Sequence, residues 1–260
     1  MSNRSIHTLL KSWDEECPLT REEAVEVLNL PEEEMDSLME CAYALRTKYK
    51  GKKVSVQLLT NVRSGNCTQN CAYCAQSKDS QAEIEKYKRV SDEKLYGDND
   101  LVDEKHLARH CIGLSGIGFS DEEIEDLADR IREMKKKDTQ ICCSIGFLTE
   151  KQARILKDAG LDRINHNLNS SRSFYPEICT THTYDQRVNN IKMLQSLGFE
   201  ICSGGIVGMG ESKEDIVDML MDLREINPES VPINFLLPIP GTRLADRDIS
   251  ELSLIHISEP

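Results

Sequence analysis

The chain has 260 residues, enough for one large domain with a sizeable core, and an α/β barrel fits that length. Its 45 acidic against 32 basic side chains leave a formal charge of −13, which argues against nucleic acid and anionic membrane surfaces as partners. No charged-then-apolar leader and no run long enough to span a membrane is present, so a cytoplasmic protein is expected, in which ten cysteines point to metal or redox chemistry rather than disulfides.

Residues 1–50 are expected to form a helical extension, with helices over Arg21–Leu30 and Glu32–Tyr49, the second opened by Pro31, whose missing N–H costs nothing in a first turn. From residue 51 to about 250, short apolar runs alternate with amphipathic stretches. The runs are Val54–Leu59, Cys111–Leu114, Ile141–Phe147, Arg163–Leu168, Glu200–Val207 and Val231–Leu237. Helices are expected over Asp92–His106, Asp121–Lys137, Glu150–Ala159, Tyr184–Leu197 and Lys213–Ile226. This alternation predicts βαβ units on a parallel sheet, with ligand-binding groups at the C-terminal ends of the strands. Residues 251–260 have no helical period and are set apart as a non-native tail.

Cys67, Cys71 and Cys74 lie just after the first apolar run, in Ser-Gly-Asn-Cys-Thr-Gln-Asn-Cys-Ala-Tyr-Cys-Ala-Gln. The surrounding Ser, Gly, Asn, Thr and Gln make this a loop rather than a core segment. Thiolates select zinc or iron–sulfur groups, yet a structural zinc site closes with four ligands and no second Cys pair follows. A ferredoxin-type run would supply a fourth cysteine. Three thiolates therefore leave one iron of a four-iron cluster open to a substrate or cofactor. Further cysteines recur on later strands: Cys111 in the second, Cys142 and Cys143 in the third, Cys202 in the fifth. Side chains alternate along a strand, so Cys142 and Cys143 face opposite ways and only one can join an interior group without a bulge.

The triplet, with Tyr73 before its last cysteine, resembles the signature of the radical S-adenosylmethionine (SAM) superfamily. Together with Ile164–Asn169, Thr180–Tyr184, Cys202–Gly208 and Glu229–Asn234, the resemblance narrows to the biotin synthase family and covers residues 18–249. It implies a TIM-type (β/α) barrel, of which about six of eight strands are present. It also implies insertion of sulfur into dethiobiotin to give biotin. Cys67, Cys71 and Cys74 would hold a [4Fe-4S] cluster that binds SAM. Cys111, Cys142 and Cys202 would hold an auxiliary, sulfur-donating cluster, [2Fe-2S] or larger. Tyr73, Asn167, Asn169 and Arg187 would contact SAM; Asn167 and Asn234 would contact dethiobiotin. A flavodoxin or ferredoxin-type electron donor and a homodimer of the full-length protein are implied as well. The radical chemistry is borne by the cofactors, so no catalytic acid–base pair is expected. Alternatives are a sibling enzyme of hydrogenase maturation or methylornithine synthesis, or a non-catalytic iron–sulfur electron carrier.

Three departures from the family pattern stand out. Asn169 replaces the usual Asp, Gly113–Gly118 replaces an Ala-Ala-Trp-Arg stretch after the second strand, and the last two strands have no counterpart. With its sheet edges open, the chain by itself is expected to be inactive and to aggregate or melt without cooperativity. Cys143 has no counterpart in the common pattern, and it or Cys179 is a candidate extra thiol for a larger auxiliary cluster.

Overall fold

The computed structural model describes residues 19–249, so the tail expected from residue 251 lies outside the described residues. The chain divides between Ser55 and Val56 into two units, a few residues past the boundary expected at 50. In the first, α1 (Arg21–Leu28) starts from a reciprocal cap: Thr20 accepts from the Glu23 N–H while the Glu23 carboxylate accepts from the Thr20 N–H. Pro31 caps a single 3-10 turn, Glu32–Glu34, and α2 (Met35–Lys50) begins only after it. The second helix thus starts three residues later than Pro31 suggested.

In the second unit the strands are β1 (Gln57–Arg63), β2 (Arg109–Leu114), β3 (Ile141–Ser144), β4 (Arg163–Asn165), β5 (Glu200–Cys202), β6 (Gly205–Val207) and β7 (Ile233–Phe235). All pairings between them are parallel, in the order β1-β2-β3-β4-β5 and, separately, β6-β7. Bridges from Asn169 to Gly205 and from Cys202 to Ser230 carry the sheet across the gap between the two sets. The run 200–207, expected as one strand, is therefore two, broken at Ser203-Gly204. Six successive strand positions result, as the sequence implied.

The helices α3 (Asp92–Glu104), α4 (Asp121–Met134), α5 (Glu150–Asp158), α7 (Tyr184–Ser196) and α8 (Lys213–Ile226) return the chain from one strand to the next. Each begins at a Ser or Thr whose hydroxyl accepts an N–H of the first turn: Ser91, Ser120, Thr149, Thr183 and Ser212. Such caps are typically worth about 1 kcal/mol each and fix where every helix leaves the rim of the sheet. A further one-turn helix, α6 (Tyr175–Ile178), was not expected. The core lies between the sheet and these helices. Ile112, Cys143, Ile164 and Ile201 pack from the strands against Ile124, Leu127, Leu156, Ile191, Leu194 and Leu223. Among the described residues β1 and β7 each pair on one side only, and Leu59, Phe235 and Leu237 are exposed there. No described helix is long and apolar enough to cross a membrane.

A buried polar cluster ties β1 and β2 to α3. Thr60 donates to Asp98 at 2.7 Å and its oxygen lies 2.8 Å from Nε2 of His110; Nδ1 of His110 is 3.1 Å from the Asn99 side-chain oxygen. His110 has no exposed surface, and burial pushes its ring down to about 4, against the pull of the Asp98 carboxylate. The unfolded chain, with His near 6.5, takes up a proton that the folded chain refuses until about pH 4. This contribution to stability is therefore complete above pH 6.5 and is lost as the pH falls through that window, about 3 kcal/mol in all. Melting curves of the cluster-free chain from pH 8 to 4 should show the fall, and His110→Gln should make it shallower. An unchanged slope in the variant would place the acid sensitivity elsewhere.

Candidate active site

The cysteine loop leaves the sheet through a sharp left-handed turn. Gly65 and Asn66 both have positive φ, 73° and 54°, and a Cβ on Gly65 would lie 2.6 Å from the Lys86 side chain. The turn is then locked: the Gly65 N–H donates to Oε1 of Gln76 at 2.8 Å, and the Ser115 hydroxyl donates to the Gly65 carbonyl at 2.6 Å. Ser115 belongs to the segment after β2 that departs from the family pattern, so that segment here fastens the loop. On its other side the loop is pinned to the end of α6 and the chain that follows it. The Ala72 N–H donates to the Ile178 carbonyl, Nδ2 of Asn70 donates to the Thr180 hydroxyl, and Arg243 donates to the carbonyls of both Asn70 and Ile178.

So held, Cys67, Cys71, Tyr73 and Cys74 line one side of a cavity of about 250 Å³. The facing wall carries Asn165, Asn167 and Asn169, with Arg187 and Asn234. Residues far apart in sequence are thus brought together as the strand ends predicted. Asn169 has φ 72°, a conformation that Asn tolerates better than most residues, and its backbone joins Gly204 and Ile206 at 3.0 and 2.9 Å. Asn167 accepts from the Gly204 N–H at 3.1 Å, so it supports the break between β5 and β6 as well as facing the cavity. Strict alternation continued from β4 would turn His166 to the helices. It lines the cavity instead, because the strand ends at Asn165 and the alternation lapses there. Burial, then the Arg187 charge, pushes its ring down to about 3.

Arg187 sits in a cage that the sequence did not reveal. It donates to the Tyr175 hydroxyl, to the Asn167 carbonyl at 3.2 Å and to Nε2 of His182 at 2.8 Å, with its guanidinium 5.9 Å from the Phe147 ring centre. His182 in turn holds Oε1 of Gln69 at 2.9 Å from Nδ1. The fork is thereby fixed in direction before any anion arrives, the condition under which an arginine recognises a carboxylate well. The stretch Thr180–Tyr184 stood out in the sequence, but nothing in it marked His182 as the partner of Arg187.

A second set of thiols lies on the inner face of the sheet. Cys111 is level with Cys142 across β2 and β3, and Cys202 is level with Asn165, whose Nδ2 lies 3.2 Å from its sulfur. A hydrogen bond between Cys111 and Cys142 holds the first thiol low and the second high. Next to them Arg109 and Arg163 both reach Glu200, at 3.2 and 2.7 Å, and place positive charge beside the thiols. Cys143 faces away: it is fully buried and level with Ile112 and Ile164 in the helix-facing core. Cys179 is elsewhere again, with its sulfur 3.8 Å from that of Cys71. Neither extra thiol stands with the inner-face set, since alternation turns Cys143 outward and α6 carries Cys179 to the cysteine loop.

Residues 61–223 match the family model of the radical SAM superfamily. The chain is 42% identical over 228 residues to the biotin synthase of Geobacillus kaustophilus (strain HTA426), covering 87% of this chain and 68% of that protein. It is 39% identical over 239 residues to the biotin synthase of Bacillus subtilis (strain 168), covering 92% and 71%. The chain belongs to the biotin synthase family. Among solved structures, methylornithine synthase superposes with a TM-score of 0.82 at 18% identity, over 96% of this chain and 74% of that one. The FeFe-hydrogenase maturase from Carboxydothermus hydrogenoformans gives 0.78 at 19% identity, over 91% and 58%. These two likenesses bear on the fold alone: a radical SAM (β/α) barrel architecture.

As a biotin synthase family member the chain is a radical SAM enzyme of the sulfurtransferase type, with a [4Fe-4S] cluster, SAM and an auxiliary iron–sulfur cluster as cofactors. The residues present fit these groups. Two separate sets of three cysteines, none in a disulfide, offer soft donors at the cavity wall and on the inner sheet face. A caged guanidinium and several side-chain amides line the same cavity as the first set.

Proposed function

We propose that the full-length protein to which this chain belongs inserts sulfur into dethiobiotin to form biotin, using Cys67, Cys71 and Cys74 for the SAM-binding cluster and Cys111, Cys142 and Cys202 for the sulfur-donating one. The observation that carries this reading is the placement of the two thiol sets. One lines the cavity; the other lies on the inner face of β2, β3 and β5, where Asn165 both lines the cavity and touches Cys202. When bound, the clusters and SAM supply the electron, the organic radical and the sulfur.

The chain's own residues bind, orient and exclude water. Arg187, held by Tyr175 and His182, receives the SAM carboxylate; Tyr73 and Asn169 take further parts of SAM. Asn167 and Asn234 offer both donors and acceptors, which the ureido group of dethiobiotin requires, and Asn167 contributes to SAM as well. Cys143 packs in the core and stays outside the ligand set. A flavodoxin or ferredoxin-type carrier supplies electrons, the full-length protein is a homodimer, and the setting is cytoplasmic.

Anaerobically reconstituted full-length protein, given dethiobiotin, SAM and a strong reductant, should yield biotin together with 5′-deoxyadenosine. Formation of 5′-deoxyadenosine without biotin would instead favour a sibling chemistry, and failure to cleave SAM would favour an electron carrier.

A further inference from the structure

Three groups that could ligate one ion meet beside the cysteine loop: Cys71, Cys179 and His182. Two of them are buried, and all three donor atoms lie within 4.8 Å of one another. The sulfurs of Cys71 and Cys179 are 3.8 Å apart, and the Cys179 sulfur lies 3.3 Å from Nδ1 and 3.7 Å from Nε2 of His182. Two thiolates bound to one tetrahedral ion at about 2.3 Å stand about 3.8 Å apart, and a thiolate and an imidazole nitrogen about 3.5 Å apart. The sulfur–sulfur spacing is that of a single ion, and a ring nitrogen of His182 lies within 4.8 Å of both sulfurs. We propose that in the cluster-free chain Cys71, Cys179 and His182 bind one thiolate-seeking divalent cation such as Zn²⁺.

The surroundings favour this. Nε2 of His182 accepts from Arg187, so it carries the lone pair that an ion needs, and Nδ1 donates to Gln69 at 2.9 Å, the outer contact that orients a metal-binding imidazole. The ion takes the place of Arg187 at Nε2. Two thiolates balance its charge, so ion and ligands together bury no net charge. A fourth position is left for solvent or for the Asn70 side-chain oxygen, 3.5 Å from the Cys179 sulfur. Cys71 cannot serve this ion and the four-iron cluster at once, so a bound Zn²⁺ holds the loop in a state that the cluster must displace. The site is independent of what the loaded enzyme makes, and its failure would leave the proposed reaction untouched.

The test uses the whole cluster-free chain under anaerobic, reduced conditions with Co²⁺ and Zn²⁺ as the only added metals. One equivalent of Co²⁺ should give thiolate charge-transfer absorption and the strong visible bands of a tetrahedral ion, both removed by Zn²⁺. With Zn²⁺ bound, alkylation mapped by mass spectrometry should slow at Cys71 and not at Cys67 or Cys74. Cys179→Ser and His182→Gln should each lower Zn²⁺ affinity by more than about tenfold. Cys67→Ser and Cys74→Ser should leave it within about twofold. Joint protection of Cys67, Cys71 and Cys74, or undiminished affinity in Cys179→Ser, would overturn the proposal. The alkylation pattern of the unaltered chain decides the matter even where a variant fails to fold.

Discussion

Cys142→Ala is expected to abolish biotin formation while leaving the reductive cleavage of SAM in place. Cys142 lies on the inner face, level with Cys111, and neither belongs to the loop that lines the cavity with Cys67, Cys71 and Cys74. Its side chain is almost wholly buried, yet it is outside the hydrophobic core formed with the helices, so loss of the sulfur costs about 1 kcal/mol in packing. On the ligand assignment proposed above, the auxiliary cluster would lose one of its three thiols and, with it, its hold on the inner face. Iron should fall to the amount held by the first cluster, with 5′-deoxyadenosine still formed and biotin below detection. Cys143→Ala is the opposite case. One residue further on, its side chain packs between Ile112 and Ile164, so it should lose about 1–2 kcal/mol of stability and keep both clusters and turnover. Biotin production by Cys142→Ala, or loss of the auxiliary cluster in Cys143→Ala, would reverse the assignment of the two neighbouring thiols.

The cysteine loop and the strand–helix alternation were legible because their signals are local. Cys67, Cys71 and Cys74 lie within eight residues, and every crossover helix announces itself with a Ser or Thr cap. Alternation along β3 was enough to separate Cys142 from Cys143. What escaped depends on contacts between distant residues or on places where regular structure stops. His166 turns to the cavity because β4 ends one residue before it, and an apolar pattern carries no mark of that end. Cys179 meets Cys71 across 108 residues of sequence, from just past a four-residue helix too short to show a period. The cage around Arg187 draws on Tyr175, His182, Phe147 and the backbone carbonyl of Asn167, and no pattern in the sequence joins these four. The run 200–207 carries Ser203-Gly204-Gly205 at its centre, a mark of close backbone approach that its apolar flanks outweighed, and the approach of another backbone divides it there.

That approach makes Gly204→Ala the substitution expected to cost most in stability. A Cβ on Gly204 would lie 1.8 Å from the carbonyl oxygen of Pro232 and 2.7 Å from its carbonyl carbon. The obstacle is backbone, so no rotamer change relieves it. Nor can the segment carrying Gly204 withdraw freely: the Gly204 N–H donates to Asn167, its carbonyl accepts from Asn169, and the next N–H, of Gly205, donates to that same Pro232 carbonyl. The methyl group must push β7 away from β6 or pull the Asn167–Asn169 stretch out of line. Either movement breaks bonds that join the last two strands to the rest of the sheet, at a cost of at least about 3 kcal/mol. Because Asn167 and Asn234 sit on the two sides of this contact, the variant that does fold should bind dethiobiotin poorly. Gly97→Ala supplies the contrast. Gly97 is within α3, exposed, with nothing within 4 Å of an added Cβ, so alanine should stabilise by about 0.5–1 kcal/mol. Urea unfolding of the two variants beside the parent chain measures both. A Gly204→Ala midpoint equal to that of the parent would mean that the close approach of β5, β6 and Pro232 is not what shapes the cavity wall.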